Sequence, residues 1–480
     1  MPGRLQFDFN PQPSRPRGGA GGRGPMRLLL LGDFSGRPAA DRPPLAGRAT
    51  HKLDADSFDA VLERVAPALR VGDDEIEFSE LEHFHPDSLY TRVPVFAALR
   101  QMRQRLMDPA QFAQAAADLG VSATTTAAAS AAPVAAGGDL LAGLLGGRPA
   151  AAATPPVPAA PAAGVDAFIR RIVAPHVVAN IQPQQTQLVG SVDAAITAEM
   201  RTLLHQPALQ ALEAAWRGAM WLVSSLDLDE ELQLHLLDVS REELLADVVA
   251  SQGKLAETEL YRVIADRWRN VPGGEPWHAL VGLYSFGPSD ADIGLAAALG
   301  LLASQAGGPL LAAGDPALAT AEPAALAGWM ALRGSEAAPW LGFVAPRVLL
   351  RLPYGKRSDP LSTFAFEEFA GGAPEHEHLL WGAGSLAAAL LIGRAFLSNG
   401  WSMQPGDENE VADLPAYTYD DGGEKVLLPV AEHLLGERAG QALMEAGLMP
   451  LMSHKHRNAA TLMRFQSIAH PPKPLAGLGG

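Results

Sequence analysis

Apolar and polar residues along residues 26–120 follow patterns that predict alternating strands and helices. The first apolar run lies in MRLLLLGDFSG and ends at Gly32 and Asp33, which predicts a buried strand running into a turn. A helix packed on that strand is predicted in DADSFDAVLERVAPAL, where Asp and Ser suit an N-cap and apolar residues recur at helical spacing: Phe58, Val61, Leu62, Val65 and Leu69. Alternation in EIEFSEL predicts a second strand, and residues 93–107 return to helical periodicity. We therefore predict a small α/β domain over residues 26–120.

The region after residue 164 begins with helices and then alternates strands with helices. Helices are predicted in VDAFIRRIV and in ITAEMRTLLHQPALQALEAAWRGAMWLVSSL, with an interruption at Pro207. There follow a strand in LQLHLLDV, a helix in REELLADVV, and a βαβ-like unit made of HALVGLYSFG, GLAAALGLLASQAG and PLLAAGD. We predict that residues 164–480 form a larger mixed α/β domain, on which the small domain packs.

Two stretches have the composition of tethers. Residues 11–25 are rich in Pro, Gly and Arg and connect the alternating segment LQFDF to the first strand, so residues 1–25 are predicted to be an arm and a flexible tether. In that arm, Leu5, Phe7 and Phe9 share one face of a strand. Residues 121–163 are dominated by Ala, Gly, Pro and Thr, which bury little surface, and are predicted to be a linker.

The linker contains one short apolar segment, GGDLLAGLLGG. Asp139 is a candidate N-cap, Gly146 is a candidate stop, and four leucines between them lie on one helical face: Leu140, Leu141, Leu144 and Leu145. A partner-docking helix and an incidental apolar cluster are equally consistent with this pattern, because an isolated helix this short is only marginally stable in water.

Composition narrows the class of protein. The chain has 480 residues, of which 48% are hydrophobic, so it can bury large cores. A formal net charge of −16 argues against nucleic-acid binding, which needs a basic surface. The sequence has no cysteine and therefore no disulfide or thiol chemistry. Since it also has neither a signal-peptide pattern nor an apolar run of membrane-spanning length, we expect a cytoplasmic protein without membrane insertion.

Two histidine pairs raise the question of a metal site. His376 and His378 lie beside glutamates in EHEHLLWGAGSLAAALL, and His454 and His456 lie in SHKH. Imidazole and carboxylate groups suit zinc, but paired zinc ligands are usually separated by about two to five residues. Residues at i and i+2 share a face mainly on a strand. Without cysteine to complete a set, we expect no metal site and no cofactor.

The first of these stretches also contains G-x-G-x-x-A, from Gly382 to Ala387, which resembles a dinucleotide-binding turn. Such a turn needs a buried strand before it and an acidic residue about 20 residues later. Here charged residues precede the glycines, and the later acids lie in the polar run GDENE, so we interpret the glycines as close-packing positions at a helix start. Ser385 lacks the second glycine of a nucleophile elbow, and no P-loop sequence occurs. We therefore expect no catalytic site.

An ordered series of motifs over residues 164–470 resembles the large sheath subunit (TssC) of the type VI secretion system. The motifs are QPALQALEAAWRGAMWLV, HLLDVSREELLAD, LVGLYSFGPSDADIGLAAAL, FVAPRVLLRLPYG, FAFEEF, EHEHLLWGAGSLAAAL and EVADLPAY. The earlier domain resembles the small sheath subunit (TssB) through LLLLGDFSGR, DSFDAVLERVAP and IEFSELEHFHPDSLYTRVPVFAALRQMRQRL. The small and large subunits thus look fused in one chain.

The resemblance implies a structural function without catalytic, cofactor or metal residues. In the family the two subunits form one protomer, protomers assemble as a helical sheath around an inner tube, and contraction drives the tube outward. The implied partners are other sheath subunits, the inner tube protein and baseplate components. An AAA+ unfoldase is a further implied partner, since the four linker leucines lie where the family has a short helix that such an enzyme recognises. The arm is expected to add a strand to a neighbouring protomer.

One departure from the family leaves two expectations open. The large subunit continues past FQSIAHPP through a segment that helps link protomers, whereas this sequence ends at Gly480. The resemblance as a whole leads us to expect that the chain forms or joins the sheath around the inner tube. The alternative is a sheath-derived adaptor at one end of the tail, acting as an initiator, a cap or a baseplate contact.

Overall fold

The computed structural model describes residues 24–72, 74–120 and 185–478. We call residues 24–120 the N-terminal part and residues 185–478 the C-terminal part. Three predicted features lie outside the described ranges: the arm with Leu5, Phe7 and Phe9, the linker with Leu140, Leu141, Leu144 and Leu145, and the helix in VDAFIRRIV.

Strands occur in both parts. The N-terminal part contains β1 (Met26–Gly32), β2 (His51–Leu53), β3 (Ala68–Val71) and β4 (Asp74–Glu77). The C-terminal part contains β5 (Leu232–Asp238), β6 (Ala279–Phe286), β7 (Leu310–Gly314), β8 (Leu341–Ala345), β9 (Val348–Leu349), β10 (Trp381–Gly382), β11 (Glu410–Val411), β12 (Thr418–Asp421), β13 (Glu424–Leu427), β14 (Leu448–Ser453) and β15 (Ala460–Leu462).

The helices are likewise divided between the two parts. The N-terminal part contains α1 (Phe58–Val65), α2 (Pro86–Arg92), α3 (Pro94–Met107) and α4 (Phe112–Asp118). The C-terminal part contains α5 (Gln185–Leu204), α6 (Pro207–Ser225), α7 (Arg241–Ala250), α8 (Glu259–Tyr261), α9 (Asp290–Ala306), α10 (Ala317–Thr320), α11 (Ala327–Arg333), α12 (Gly384–Asn399) and α13 (Glu437–Glu445). Over the described ranges, no helix has both the length and the apolar content needed to cross a membrane.

Nine strands form one mixed sheet in the order β11, β15, β14, β8, β7, β6, β1, β5, β2. The six central strands, β14, β8, β7, β6, β1 and β5, run parallel to one another. The edge strands β2, β15 and β11 each pair antiparallel with the strand next to them. The predicted α/β class is confirmed. The contact between the two predicted domains is closer than surface packing, because β1 of the N-terminal part lies inside the sheet of the C-terminal part.

Helices cover both faces of this sheet, and β1 contributes to the core on each side. Leu28 and Leu30 belong to one hydrophobic cluster, which includes residues of α3, α5, α6 and α12. Leu29 and Leu31 belong to the opposite cluster, which includes residues of α7 and α9. All four leucines are fully buried. A parallel strand covered on both faces needs a continuous apolar run, and this explains the sequence of β1.

The structure corrects the prediction for the end of α1. The helix ends at Val65, and Ala66 has a φ of 50°, in the left-handed region. Pro67 follows, and proline disfavours the helical conformation in the residue before it. Leu69, which the periodicity assigned to this helix, lies instead in β3. The strand predicted in EIEFSEL is β4, which pairs with β3 in a separate hairpin and not with the large sheet.

Candidate functional site: the seam between the two parts

The seam between the N-terminal and C-terminal parts is built first of all from backbone pairing. All of β1 pairs with β5, from Met26 opposite Leu232 to Gly32 opposite Asp238. On its other side, residues 28–31 pair with residues 279–282 of β6. Both strands that flank β1 come from the C-terminal part. The seam is therefore continuous with the hydrophobic core and is not a surface contact between two finished domains.

Side chains of the C-terminal part hold the turn that follows β1. The Asp238 carboxylate accepts hydrogen bonds from the backbone N–H groups of Phe34 (2.8 Å) and Ser35 (3.0 Å). The indole N–H of Trp216 donates to the Phe34 carbonyl over 2.8 Å. Its ring meets those of Phe34 and Phe58 edge-on, with centroids 5.3 and 5.7 Å apart. These bonds supply partners for backbone groups that the turn would otherwise bury unpaired.

A cluster of ion pairs crosses the seam next to this turn. Arg42 contacts Asp33 at 2.6 Å and Glu243 at 3.1 Å, and Arg48 also contacts the Glu243 carboxylate. Glu243 completes a capping box with Ser240 at the start of α7. Burial alone would raise the pKa of Glu243, but hydrogen bonds from Arg48 and from the Ser240 backbone lower it. Two arginines of the N-terminal part thus grip the first turn of a helix of the C-terminal part.

Asp87 in α2 makes a second polar contact across the seam. Its carboxylate accepts hydrogen bonds from the backbone N–H and hydroxyl of Ser362 (2.8 and 2.7 Å) and from the same groups of Thr363. Burial would raise the pKa of Asp87, but these four bonds lower it to about 2. The ring of Tyr90, one turn later in α2, lies 4.6 Å from that of Phe364. One turn of α2 therefore clamps the loop at residues 362–364.

The outermost contact of the seam joins α3 to α5. Arg103 pairs with both carboxylate oxygens of Asp193, at 2.6 and 3.3 Å. The Gln185 amide donates to the carbonyls of Leu106 (2.8 Å) and Met107 (2.9 Å) at the end of α3. The ion pair is largely open to water, with side chains 37% and 47% exposed. Solvent screening makes this the weakest of the seam's polar contacts.

A buried ion network lies behind the seam, within the C-terminal part, and sequence reasoning missed it. Arg351 contacts Glu213 at 3.0 Å and Glu368 at 2.8 Å, and Arg217 contacts Glu213 at 2.6 Å. Burial would raise the pKa of Glu368, but the charge of Arg351 lowers it to about 2. The available signal was Glu213, a charged residue on the apolar face of a predicted helix. Its partner is far away in the sequence.

The histidine pair of the EHEH stretch is split between two environments. His376 contacts Glu432, with Nε2 3.0 Å from Oε1, and its ring lies parallel to that of His433 at 5.2 Å. The ring of His378 stacks instead on His205, with centroids 4.0 Å apart. The two histidines therefore do not converge on one point. In the second predicted pair, His454 lies 3.0 Å from the Thr461 hydroxyl, whereas His456 is exposed.

The glycines of the G-x-G-x-x-A stretch lie where backbone and side chains approach closely. A Cβ on Gly382 would lie 2.6 Å from Leu350, and one on Gly384, the first residue of α12, would lie 2.8 Å from Val344. The buried hydroxyl of Ser385 donates to a β6 backbone carbonyl over 2.8 Å. Gly382 thus allows close packing beside β10, whereas Gly384 and Ser385 join the start of α12 to the sheet.

The shared sheet and the ion pairs of the seam define a two-part α/β protein whose parts are built into one core, and comparison with known families identifies its kind. A family model described as "EvpB/VC_A0108, tail sheath N-terminal domain" matches residues 186–469. A second, described as "Type VI secretion system, VipA, VC_A0107 or Hcp2", matches residues 23–119. The first match covers more than half of the chain, so the protein belongs to the EvpB/VC_A0108 tail sheath family. One chain thus joins a TssB-like and a TssC-like region.

A curated relative agrees with this assignment. The chain is 32% identical over 306 residues to the type VI secretion system sheath protein TssC1 of Pseudomonas aeruginosa. The alignment covers 59% of this chain and 61% of the relative. The chain therefore spans about three fifths of the length of the curated relative that it matches.

Proposed function

We propose that the protein is a structural component of a type VI secretion contractile sheath and forms or joins that sheath around the inner tube in the cytoplasm. The position of β1 carries this proposal. A strand of the TssB-like region lies between two strands of the TssC-like region, so one chain supplies both halves of a protomer. The proposed partners are other sheath subunits, the inner tube protein and baseplate components. No catalytic role is proposed.

The proposed domain organisation keeps both halves together after the chain is cut. We assign residues 26–120 to a TssB-like domain and residues 164–480 to a TssC-like domain, joined by the linker at 121–163. A protease site placed between Gly120 and Gly164 tests this assignment. The two fragments should co-elute at micromolar concentration, because separating them would expose both faces of β1. Separate elution of two folded fragments would contradict it.

The arm is proposed to add a strand to a neighbouring protomer through Leu5, Phe7 and Phe9. The hairpin of β12 and β13 is a candidate acceptor, because within the described ranges its two strands pair with each other and with no further strand, and it is largely exposed. Each added backbone hydrogen bond contributes about 1 kcal/mol, and each buried phenylalanine about 2 kcal/mol. Association costs about 4 to 15 kcal/mol, so contacts between the bodies of the protomers must contribute as well.

Electron microscopy tests both the sheath assignment and the arm. The protein is examined alone and together with any separately encoded sheath subunits, with Phe7→Asp and Phe9→Asp as variants and Asp8→Asn, on the opposite face, as control. We expect helical tubes from the unmodified chain and from the control, and their loss in both phenylalanine variants. No observation favours the adaptor alternative, which predicts that the chain alone forms no tubes and binds only at the ends of existing ones.

The leucine-rich segment of the linker is proposed to dock on an AAA+ unfoldase. Recognition of a helix in a groove needs an apolar face of this kind. Leu141→Ser and Leu144→Ser should abolish binding, while Ala142→Ser in the same segment should not. Unchanged binding by both leucine variants would leave the segment as linker only.

A further inference from the structure

Three metal-ligating side chains from two distant stretches meet on the surface of the C-terminal part. His376 lies in the one-turn helix His376–His378, whereas Glu432 and His433 directly follow Ala431, which bridges to Val348 of β9. One ligand atom of each side chain lies within 4.8 Å of the others. We propose that His376, Glu432 and His433 form a binding site for a divalent cation of the zinc type. This inference does not depend on the proposed function.

The chemistry of the three groups fits zinc. Imidazole nitrogen and carboxylate oxygen bind zinc at about 2.0 to 2.2 Å, so neighbouring ligands on a tetrahedral ion lie about 3.3 Å apart. The present separation of His376 Nε2 and Glu432 Oε1 is 3.0 Å. A cation inserted between them needs only a small displacement of the two side chains. Three protein ligands would leave the fourth position to water.

Two of the ligands are already positioned. Arg347 and His376 both contact the Glu432 carboxylate and hold it in place. The His376 ring lies 5.3 Å from that of Trp381, whose indole N–H donates to the His376 carbonyl over 2.9 Å. His433 is exposed and can turn its ring toward the ion without disturbing the core.

Arg347 competes with a cation for the same carboxylate. Its guanidinium donates to Glu432 Oε2 at 2.9 Å and to Oε1 at 2.5 Å. A metal ion on Oε1 would lie next to this positive charge, and the repulsion between them lowers the affinity of the site for the ion. The Arg347 side chain is 46% exposed, so it can turn into solvent when an ion binds. Removal of Arg347 should therefore strengthen zinc binding, whereas removal of a ligand should weaken it.

This set differs from the one that the sequence motif suggested. The H-x-H spacing argued against chelation by His376 and His378, and their rings do face different partners. The set proposed here takes only His376 from that pair and its other members from positions 432 and 433, beyond the reach of any local motif. A bound ion would link the loop that precedes β10 to the segment that follows β13 and would stabilise the folded state by mass action.

Calorimetric titration with zinc chloride tests the site, using the full-length chain without a histidine tag and stripped of metal. We expect one zinc per chain. His433→Ala and Glu432→Gln should lower the zinc affinity at least about tenfold. Loss of a residue that only hydrogen-bonds to a metal ligand already lowers affinity by about that factor, and loss of the ligand itself should lower it further. Arg347→Gln should raise it. His378→Ala, on the same turn but facing His205, is the matched control and should bind as the unmodified chain does.

Thermal unfolding without zinc identifies variants that fold poorly. If Glu432→Gln folds poorly, the test of the zinc site rests on His433→Ala. Zinc should raise the midpoint of the unmodified chain and of His378→Ala but not that of His433→Ala. The proposal is overturned by an absence of binding with zinc in excess, by undiminished binding in His433→Ala, or by a loss of binding confined to His378→Ala.

Discussion

The centre and the rim of the seam hold the two parts of the chain together by different means. At the centre, β1 is hydrogen-bonded on both sides, and its leucines are fully buried in both cores. At the rim, α2 and α3 bury their apolar faces in the shared core and add polar contacts at the surface, where the pair between Arg103 and Asp193 is largely open to water. The centre excludes water. At the rim, each polar contact replaces hydrogen bonds to water, so its net contribution to the free energy of folding is small.

The two regions therefore contribute different things to the seam: the centre supplies stability, and the rim supplies orientation. Burial of apolar surface supplies most of the free energy, and it is not directional. Polar contacts are directional but contribute little each, so those of α2 and α3 orient helices that burial in the shared core already holds. Graded substitutions from the centre to the rim should therefore show a steady fall in effect.

The largest effect is expected from Leu30→Ala in β1. The side chain is fully buried, and truncation of a buried leucine to alanine destabilises a protein by about 2 to 5 kcal/mol. Denaturant unfolding of the full-length chain measures this change. Leu434→Ala is the matched control, because Leu434 is 48% exposed and substitutions at such positions change stability by about 0.5 kcal/mol or less. Equal effects of the two substitutions would mean that β1 is not part of the core.

The sequence predicts the elements of the centre well but not their arrangement. The apolar run of β1 and the Ala- and Leu-rich run of α9 are local patterns, and both elements occur where those patterns lie. The insertion of β1 between β5 and β6 depends on pairing over more than two hundred positions, which leaves no local trace. The three-residue edge strand β2 was missed because so short a segment shows no period.

The polar contacts were the least predictable part of the molecule. Asp87 resembles any acidic residue in the first turn of a helix, and no pattern in the neighbouring sequence indicates its contact with Ser362. Glu213 stands out on an apolar helix face, but its partner Arg351 lies in a segment without helical or strand periodicity. The H-x-H spacing correctly argued against His376 and His378 binding one ion, but it could not reveal that Glu432 lies next to His376. Sequence motifs detect ligands that share one element, and these contacts join different ones.

A smaller effect is expected from Asp87→Asn at the rim. An asparagine turns an NH₂ group toward donors of Ser362 and Thr363 and loses the charge, so we expect about 1 kcal/mol of destabilisation at neutral pH, discounted for solvent exposure. The pKa of Asp87 is lowered from 3.8 to about 2. Its ionised form therefore stabilises the fold above about pH 4, and this contribution disappears as the pH falls toward 2.

The pH dependence distinguishes this clamp from a simple packing contact. The stability difference between the unmodified chain and Asp87→Asn should be complete at neutral pH and should shrink through the window from about pH 4 to 2. Glu368 and Glu432 also have a pKa lowered to about 2, so both proteins lose stability there, and only the difference is informative. Asp56→Asn, at an exposed position, is the control. A difference that does not change with pH would contradict the role of the charge.

The smallest effect is expected from Arg103→Ala at the outer end of the seam. Exposed ion pairs contribute about 0.2 to 1 kcal/mol, because water solvates both charges and the long side chains lose freedom when they pair. The effect should diminish in high salt, which screens exposed charges. A double-mutant cycle with Asp193→Ala isolates the coupling between Arg103 and Asp193 from other consequences of each substitution. A coupling as large as the loss in Leu30→Ala, unchanged by salt, would place the main attachment of the N-terminal part at α3 and not at β1.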